Sequence, residues 1–535
     1  MPRLVPLPVF VLLASSLTAL SPAEAAQPVS RPNILFIFSD DHCTQGIGAY
    51  GGRLAELAPT PNIDRLAKEG VRLTNCFVTN SICSPSRACV MTGQYSHVNG
   101  VRSLDEPLPP ERQMLAHAMR HAGYQTAILG KWHLVVEPAA FDAYCVLPGQ
   151  GSYFNPILHF NPASRSWIPR SLGTILPKGS ADQPFEVIRA SSYDCVHADD
   201  AITALGLAWL KSRDKSRPFF LMQHYKGPHD NFENAERYDF LYNDVTIPEP
   251  ESLWRRGDHG PRGQPQHGTS VSHRNPRRNM GQHMFVDPDL PDEEYTRTAY
   301  QRYLKKYLRT VRGVDDGVGQ LLDYLDKTGE LDNTIVVYSA DQGFMLGEHD
   351  YIDKRWMYDE SMRMPFLVRY PKRIRAGTVV DDLVNNTDFA PTLLELAGVP
   401  PPGQPAGIQG RSFAPNLEGR TPADWRQATY YRYWLHMAHH DVPAHFGIRT
   451  QTHKLIFFYG LPLGVQMAQK EPTEPYWELY DLARDPKEMH NLAGDPAHTE
   501  VFAQLKQQLA ELRREVGDTD AEHPEVQRLF ETVKP

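Results

Sequence analysis

The sequence predicts an α/β protein: a mainly parallel central sheet with helices on both faces, followed by a smaller C-terminal α+β part with a short antiparallel sheet. Two observations carry this. Apolar, β-prone runs alternate with amphipathic helical runs along most of the chain. Polar residues able to do chemistry recur just after the strand-like runs, at the edge where open α/β sheets bind ligands.

The elements follow in order. "MPRLVPLPVFVLLASSLTALSPAEAAQPVS" has Arg3, a short apolar run and small residues at Ala23 to Ala25. This fits a signal peptide over residues 1–25 and an exported protein, periplasmic or secreted, with no stable membrane span. "RPNILFIFSDDH" (31–42) is a continuous β-prone run ending in two acids, the pattern of a buried parallel strand. "TPNIDRLAKEGVRLTNCFVTN" (60–80) reads as a Pro-started helix that Gly70 ends, then a strand. The same logic repeats at 111–134, where the helix stops at Gly123, and at 199–229. Residues 301–343 read as a long amphipathic helix, a second helix and a strand. Residues 251–295, rich in Arg, Gly, Pro and His without a period, read as a loop insertion. It is either a surface excursion or a lid over substrate. The expected site-bearing domain is 30–415 and the C-terminal subdomain 416–535, with strands in "QATYYRYW", "HFGIRTQTHKLIFFYG" and "YWELYDLARDP" and a helix over 498–516.

Composition narrows the function classes. The 535 residues, 41% hydrophobic and 22% charged, have ordinary globular usage. A net charge of −9 argues against a nucleic-acid partner. Six cysteines are too sparse for a disulfide scaffold and lack the paired spacing of a structural zinc site.

Asp40-Asp41 and Asp341-Gln342 both follow predicted strands, and their oxygen donors suit a hard divalent cation. Arg87, Lys131, His133, His229 and Lys354 are cationic or basic partners for an anion. Each also has a plain structural reading, as a surface charge or a satisfied core histidine. Composition and spacing reach a metal-assisted hydrolase of a phosphate or sulfate ester and stop there.

"CSPSRACVMTG" (83–93) takes the reading further. Cys83, Pro85, Arg87, Thr92 and Gly93 match every defined position of the sulfatase signature. With "GKWHL", "KGPH", "SADQGFMLGEHDYIDKRWMYDESMRMPFLVRYP" and "YWELYDLARDPKEMHNL", nearly the whole chain resembles the formylglycine-dependent type I sulfatases of the alkaline phosphatase superfamily. The resemblance implies an alkaline-phosphatase-like fold and conversion of Cys83 to formylglycine (3-oxoalanine) by a maturation enzyme. It implies that Asp40, Asp41, Asp341, Gln342 and the modified Cys83 hold one Ca²⁺, in preference to Mg²⁺. It gives Arg87 and Lys131 the sulfate and the nucleophile, His133 a proton-accepting role, and His229 and Lys354 the departing oxygen. Gln342 stands where the family commonly has Asn, one methylene shorter.

"VLPGQGSYFNP" and "DKRWMYDESMRMP" resemble carbohydrate sulfatases, among them N-acetylglucosamine-6-sulfatase-like enzymes. A sulfated oligo- or polysaccharide is the expected partner. Gln150, Tyr153 and Asn155 either line a sugar subsite or form a turn, and Lys226 is either a rim charge or a sulfate contact. Two rival functions remain: a phosphonate monoester or phosphodiester hydrolase, and an inactive sulfoglycan-binding protein.

Overall fold

The computed structural model describes Met1 and residues 31–180, 182–191, 196–255, 257, 259, 267–401 and 407–535. The expected signal peptide beyond Met1, Cys195 and part of the basic stretch after 255 lie outside the described residues.

Five parallel strands form the centre: β1 (Asn33–Ser39), β2 (Gln125–Lys131), β3 (Ala143–Leu147), β4 (Phe219–His224) and β5 (Thr334–Ala340), in the order β5-β1-β4-β2-β3. Antiparallel pairs extend both edges, through Phe366–Arg369 on one side and Ile157–Phe160 on the other, into an eleven-stranded mixed sheet. The centre is parallel because long connections, most of them helical, link its strands, whereas the outer pairs tolerate antiparallel neighbours.

Alternation along β1 divides the core in two. Ile34, Phe36 and Phe38 pack on one face with α2 (Cys83–Thr92) and α3 (Met114–His121). Leu35 and Ile37 pack on the other with α1 (Pro61–Glu69), α4 (Ala198–Ser212) and α5 (Asp292–Lys327). Every residue of β1 is buried, as its unbroken apolar run requires.

The structure revises two expectations. The pair of helices expected before β5 is one helix, α5, of 36 residues. Its glycines are packing contacts rather than breaks. A Cβ on Gly317 would stand 2.6 Å from Thr203 Oγ1 and from the Tyr225 hydroxyl oxygen, and one on Gly319 would stand 2.6 Å from Asn62. α5 also absorbs the end of the expected 251–295 insertion, from Asp292 onward. Upstream, Thr269, Ser270, Val271, Ser272, Asn275 and Asn279 are buried, so these residues are packed into the fold. Asp350 anchors it by accepting from Ser272 N at 2.8 Å and Arg274 Nε at 3.1 Å.

The C-terminal sheet is antiparallel in chain order: Ala428–Tyr433, His445–Thr450, His453–Phe458 and Tyr476–Asp481. Phe446, Leu455 and Phe457 on one face pack with Phe502 and Leu509 of α6 (Thr499–Val516). Tyr431, Ile456 and Phe458 on the opposite face join the core that holds α2. No helix among the described residues is long and apolar enough to cross a membrane.

Strand register sets the site. Ser39 aligns with Ala340, Phe38 with His224, and Gly130 with His224. The residues that follow these strands therefore emerge together at one edge. Gly130 has φ +94, and a Cβ there would lie 1.9 Å from the His224 carbonyl oxygen. Gly130→Ala is expected to destabilise the fold by about 3 kcal/mol or more. A thermal midpoint equal to wild type would show that this close approach is relaxed at no cost.

Candidate active site

The stretch around Cys83 folds as it does for local reasons. Cys83 is the first residue of α2, and Pro85 sits in the first turn, where a missing N–H costs nothing. Arg87, one turn on, lies on the same helix side as Cys83. Gly93 closes the helix with φ 66 in the left-handed region, and Thr92 Oγ1 donates to Ala88 O at 2.7 Å. Four of the five defined signature positions thus build a short, fully buried helix that presents the fifth, Cys83, at its N-terminus.

Cys83 is 1% exposed. Its Sγ lies 3.4 Å from Asp40 Oδ1, 3.8 Å from Lys131 Nζ and 3.8 Å from Gln342 Nε2. Burial pushes its thiol up to about 12, against the pull of Lys354. A protonated thiol is a poor nucleophile, so unmodified Cys83 is unsuited to thiolate catalysis. It is also a free cysteine, not half of a disulfide.

Asp40, Asp41 and Asp341 each offer an oxygen, all within 4.8 Å of one another, and all three residues are buried. Asp41 has φ 64, and its N–H donates to Asp341 Oδ1 at 3.1 Å. Burial raises the Asp41 carboxyl to about 6, with Lys354 opposing and Asp341 adding to the rise. Gln342 Nε2 donates to Asp41 Oδ1, while the buried Gln342 Oε1 has no hydrogen-bond partner. Turning the amide over would present that oxygen to the carboxylates. Three clustered carboxylates and an orphaned amide oxygen fit a hard divalent cation. The extra methylene of Gln342 does not prevent its amide from reaching Asp41.

The cations surround this cluster. Arg87 donates from Nε to Asp341 Oδ2 at 3.1 Å, and its Nη2 lies 3.8 Å from Asp40 Oδ1. Lys131 Nζ pairs with Asp40 and donates to Gln150 Oε1 at 2.7 Å. Lys354 Nζ pairs with Asp41 Oδ2 at 2.5 Å. His229 Nε2 lies 3.9 Å from the same oxygen. His133 has φ 55 and a buried Nδ1 without a hydrogen-bond partner, and its carbonyl accepts from Ser84 Oγ at 2.6 Å. Burial, then Lys131 and Arg87, drives His133 well below the usual imidazole range; burial, then Lys131, Lys354 and Lys226, does the same to His229. Both shifts favour the neutral imidazole.

Ten sequence-selected residues therefore meet at one edge. Lys226 and Tyr153 form the adjoining wall. Lys226 is 2% exposed, not a rim charge; its Nζ donates to Gln150 O at 3.0 Å and lies 4.5 Å from the Tyr153 ring centroid. The Tyr153 hydroxyl donates to His229 O at 2.7 Å, so this phenol steadies the histidine loop. Gln150 is exposed at the mouth, whereas Asn155 closes a turn: its Oδ1 accepts from Val196 N at 3.1 Å.

The sequence reading missed His224 and Tyr307. His224 Nδ1 lies 3.2 Å from Arg87 Nη1. It ends β4, so the strand-end rule contained a signal for it. The Tyr307 hydroxyl donates to Asp41 O at 2.9 Å from mid-helix α5, where nothing in the sequence marks it.

A parallel-centred sheet whose strand ends bring acids, cations and a cysteine at a helix N-terminus together defines a hydrolase fold of the alkaline phosphatase superfamily. Comparison with known proteins makes this specific. Residues 32–399 match the Sulfatase family model, and residues 347–515 match that of the N-sulphoglucosamine sulphohydrolase C-terminal region. The chain belongs to the sulfatase family. It is 38% identical to an N-acetylglucosamine-6-O-sulfatase of Bacteroides thetaiotaomicron, over 95% of this chain and 92% of that protein. It resembles the solved structure of BT4656 in complex with its substrate D-glucosamine-2-N,6-O-disulfate, with TM-score 0.78, 37% identity and coverage of 92% and 100% of the two chains. A more distant relative is the multifunctional alkaline phosphatase superfamily protein PehA of Trinickia caryophylli, 26% identical over 92% of this chain and 98% of that one.

Proposed function

We propose that this sulfatase is exported and removes the 6-O-sulfate from a glucosamine unit of a sulfated oligo- or polysaccharide. The observation that carries the reading is the buried convergence of Cys83 with three carboxylates and with Arg87, Lys131, His229 and Lys354. The 38% identical relative, an N-acetylglucosamine-6-O-sulfatase, supports the sugar and the position. The apolar leader at 1–25 supports export, and the catalytic part is taken as 30–415 with a C-terminal subdomain at 416–535.

Asp40, Asp41, Asp341 and Gln342 are the residues that would hold the cation, Ca²⁺ in this reading, beside residue 83. With Cys83 converted to formylglycine by a maturation enzyme, the pair would supply a hydrated aldehyde as nucleophile and a positive charge beside it. The chain's own side chains do the rest. Arg87 and Lys131, both buried, neutralise the sulfate oxygens where screening by water is weak and such charges act strongly. Lys354 is held cationic by Asp41 and is the group able to protonate the sugar oxygen as the S–O bond breaks, with His229 beside the same Asp41 oxygen. His133 Nδ1 is the open acceptor for the proton released when sulfate leaves.

The test has two parts. Peptide mass spectrometry over residues 81–87 of protein from a host with maturation machinery should show an aldehyde at position 83. Turnover should then be fastest on glucosamine 6-sulfate within a panel of sulfated sugars and phosphate diesters. An intact Cys83 thiol in active protein, or faster phosphodiester hydrolysis, would overturn the reading.

A further inference from the structure

Beside the His229 loop runs a second groove, of about 520 Å³, lined by Asn231, Glu233, Arg278, Gln282, Phe285 and Lys306 among others. That volume is typical of a small-ligand site. Three features distinguish it from an ordinary surface dip. Its floor is continuous with the catalytic loop: Asp230, next to His229, pairs with His283 Nε2 at 3.3 Å. Its far wall is tied to the residues behind Lys354, because the Arg278 guanidinium donates to His439 O while the neighbouring His440 lies 3.5 Å from Asp353. And Phe285 stands 88% exposed on a backbone with φ 54, a conformation an L residue adopts only when its surroundings enforce it. The surroundings do so here: Arg302 Nη1 donates to Phe285 O at 2.8 Å and to Met284 O at 3.0 Å, fixing the turn that holds the ring outward.

An outward aromatic ring with Arg278, Lys306 and His283 around it suits an anionic pyranose. The ring covers the apolar C–H face of the sugar, while the guanidinium and ammonium meet its carboxylate or sulfate oxygens. Glu233 is the one acid among the lining residues, and its backbone carbonyl accepts from His197 Nε2 at 2.8 Å.

We propose that this groove is a distal subsite for the next anionic sugar of the same chain. It would make the enzyme prefer oligosaccharides to the free monosaccharide. The inference rests on the sulfated-glycan reading above and adds a second recognition site to it.

Two probes test it: glucosamine 6-sulfate, and a tetrasaccharide ending in that unit with uronic-acid carboxylates beyond it. Phe285→Ala and Lys306→Glu should each lower kcat/KM on the tetrasaccharide about tenfold, mainly through KM, and leave the monosaccharide value within about twofold. Lys306→Glu should also flatten the salt dependence of the tetrasaccharide KM. Tetrasaccharide binding to Cys83→Ala protein, measured by calorimetry, should weaken by the same factor in both groove variants, a readout that needs no turnover. Equal kcat/KM on the two probes in wild type, or groove variants with unchanged tetrasaccharide binding, overturns the subsite. Failure to turn over either probe while tetrasaccharide binding still depends on Phe285 overturns the catalytic reading and leaves the subsite supported.

Discussion

Cys83→Ala should lower kcat/KM on glucosamine 6-sulfate by about ten-thousandfold or more, with little change in thermal stability. The stability expectation follows from its place. Cys83 begins α2 and its small side chain touches polar atoms, so Ala leaves no large apolar cavity. Cys83→Ser should fall nearly as far, because a serine hydroxyl cannot stand in for the hydrated aldehyde that the proposed chemistry needs. Retained activity in either variant would show that residue 83 is not the nucleophile. A wild-type rate that tracks the fraction of aldehyde found by mass spectrometry would connect the two measurements directly.

Asp41→Asn should lower the rate about a thousandfold and abolish stabilisation by Ca²⁺. Asp41 is the residue to change because its carboxylate touches Lys354, Gln342 and, more distantly, His229, and its backbone N–H binds Asp341. Wild-type protein titrated with Ca²⁺ to about a hundredfold above its dissociation constant should gain about 2.7 kcal/mol of stability, seen as a rise in the thermal midpoint. Asp41→Asn should show no rise and retain no stoichiometric metal by elemental analysis. A normal Ca²⁺ response in Asp41→Asn would remove it from the cation site. Inert Ca²⁺ with an active Mg²⁺ titration would reassign the ion without displacing the site.

Much of this was legible in the chain because parallel strands advertise themselves. β1 and β5 are fully buried, β-prone runs, and each is followed by a polar pair at the C-terminal edge. Such endings mark Asp40, Asp41, Lys131, His133, His229, Asp341 and Gln342 in the sequence. The signature around Cys83 supplied the identity of the chemistry. The helix before β5 was misread because glycine has two uses. As a helix breaker it ends an element, but Gly317 and Gly319 keep α5 close to Thr203, Tyr225 and Asn62, contacts that sequence periodicity does not encode. The packing of the stretch after 251 is hidden for a related reason. Its polar residues are buried by partners such as Asp350 that lie far along the chain.

The sequence by itself determined the fold class, the edge of the sheet that carries the chemistry, and Cys83 as its centre, since periodicity and a local signature are properties of neighbouring residues. Only the tertiary structure decided that Lys226 is buried against Tyr153, that Tyr153 holds the His229 loop, that Asn155 turns away to Val196, and that Tyr307 reaches Asp41. Those pairings join segments tens to hundreds of residues apart. Packing selects them, through burial that forces each polar group to find a partner.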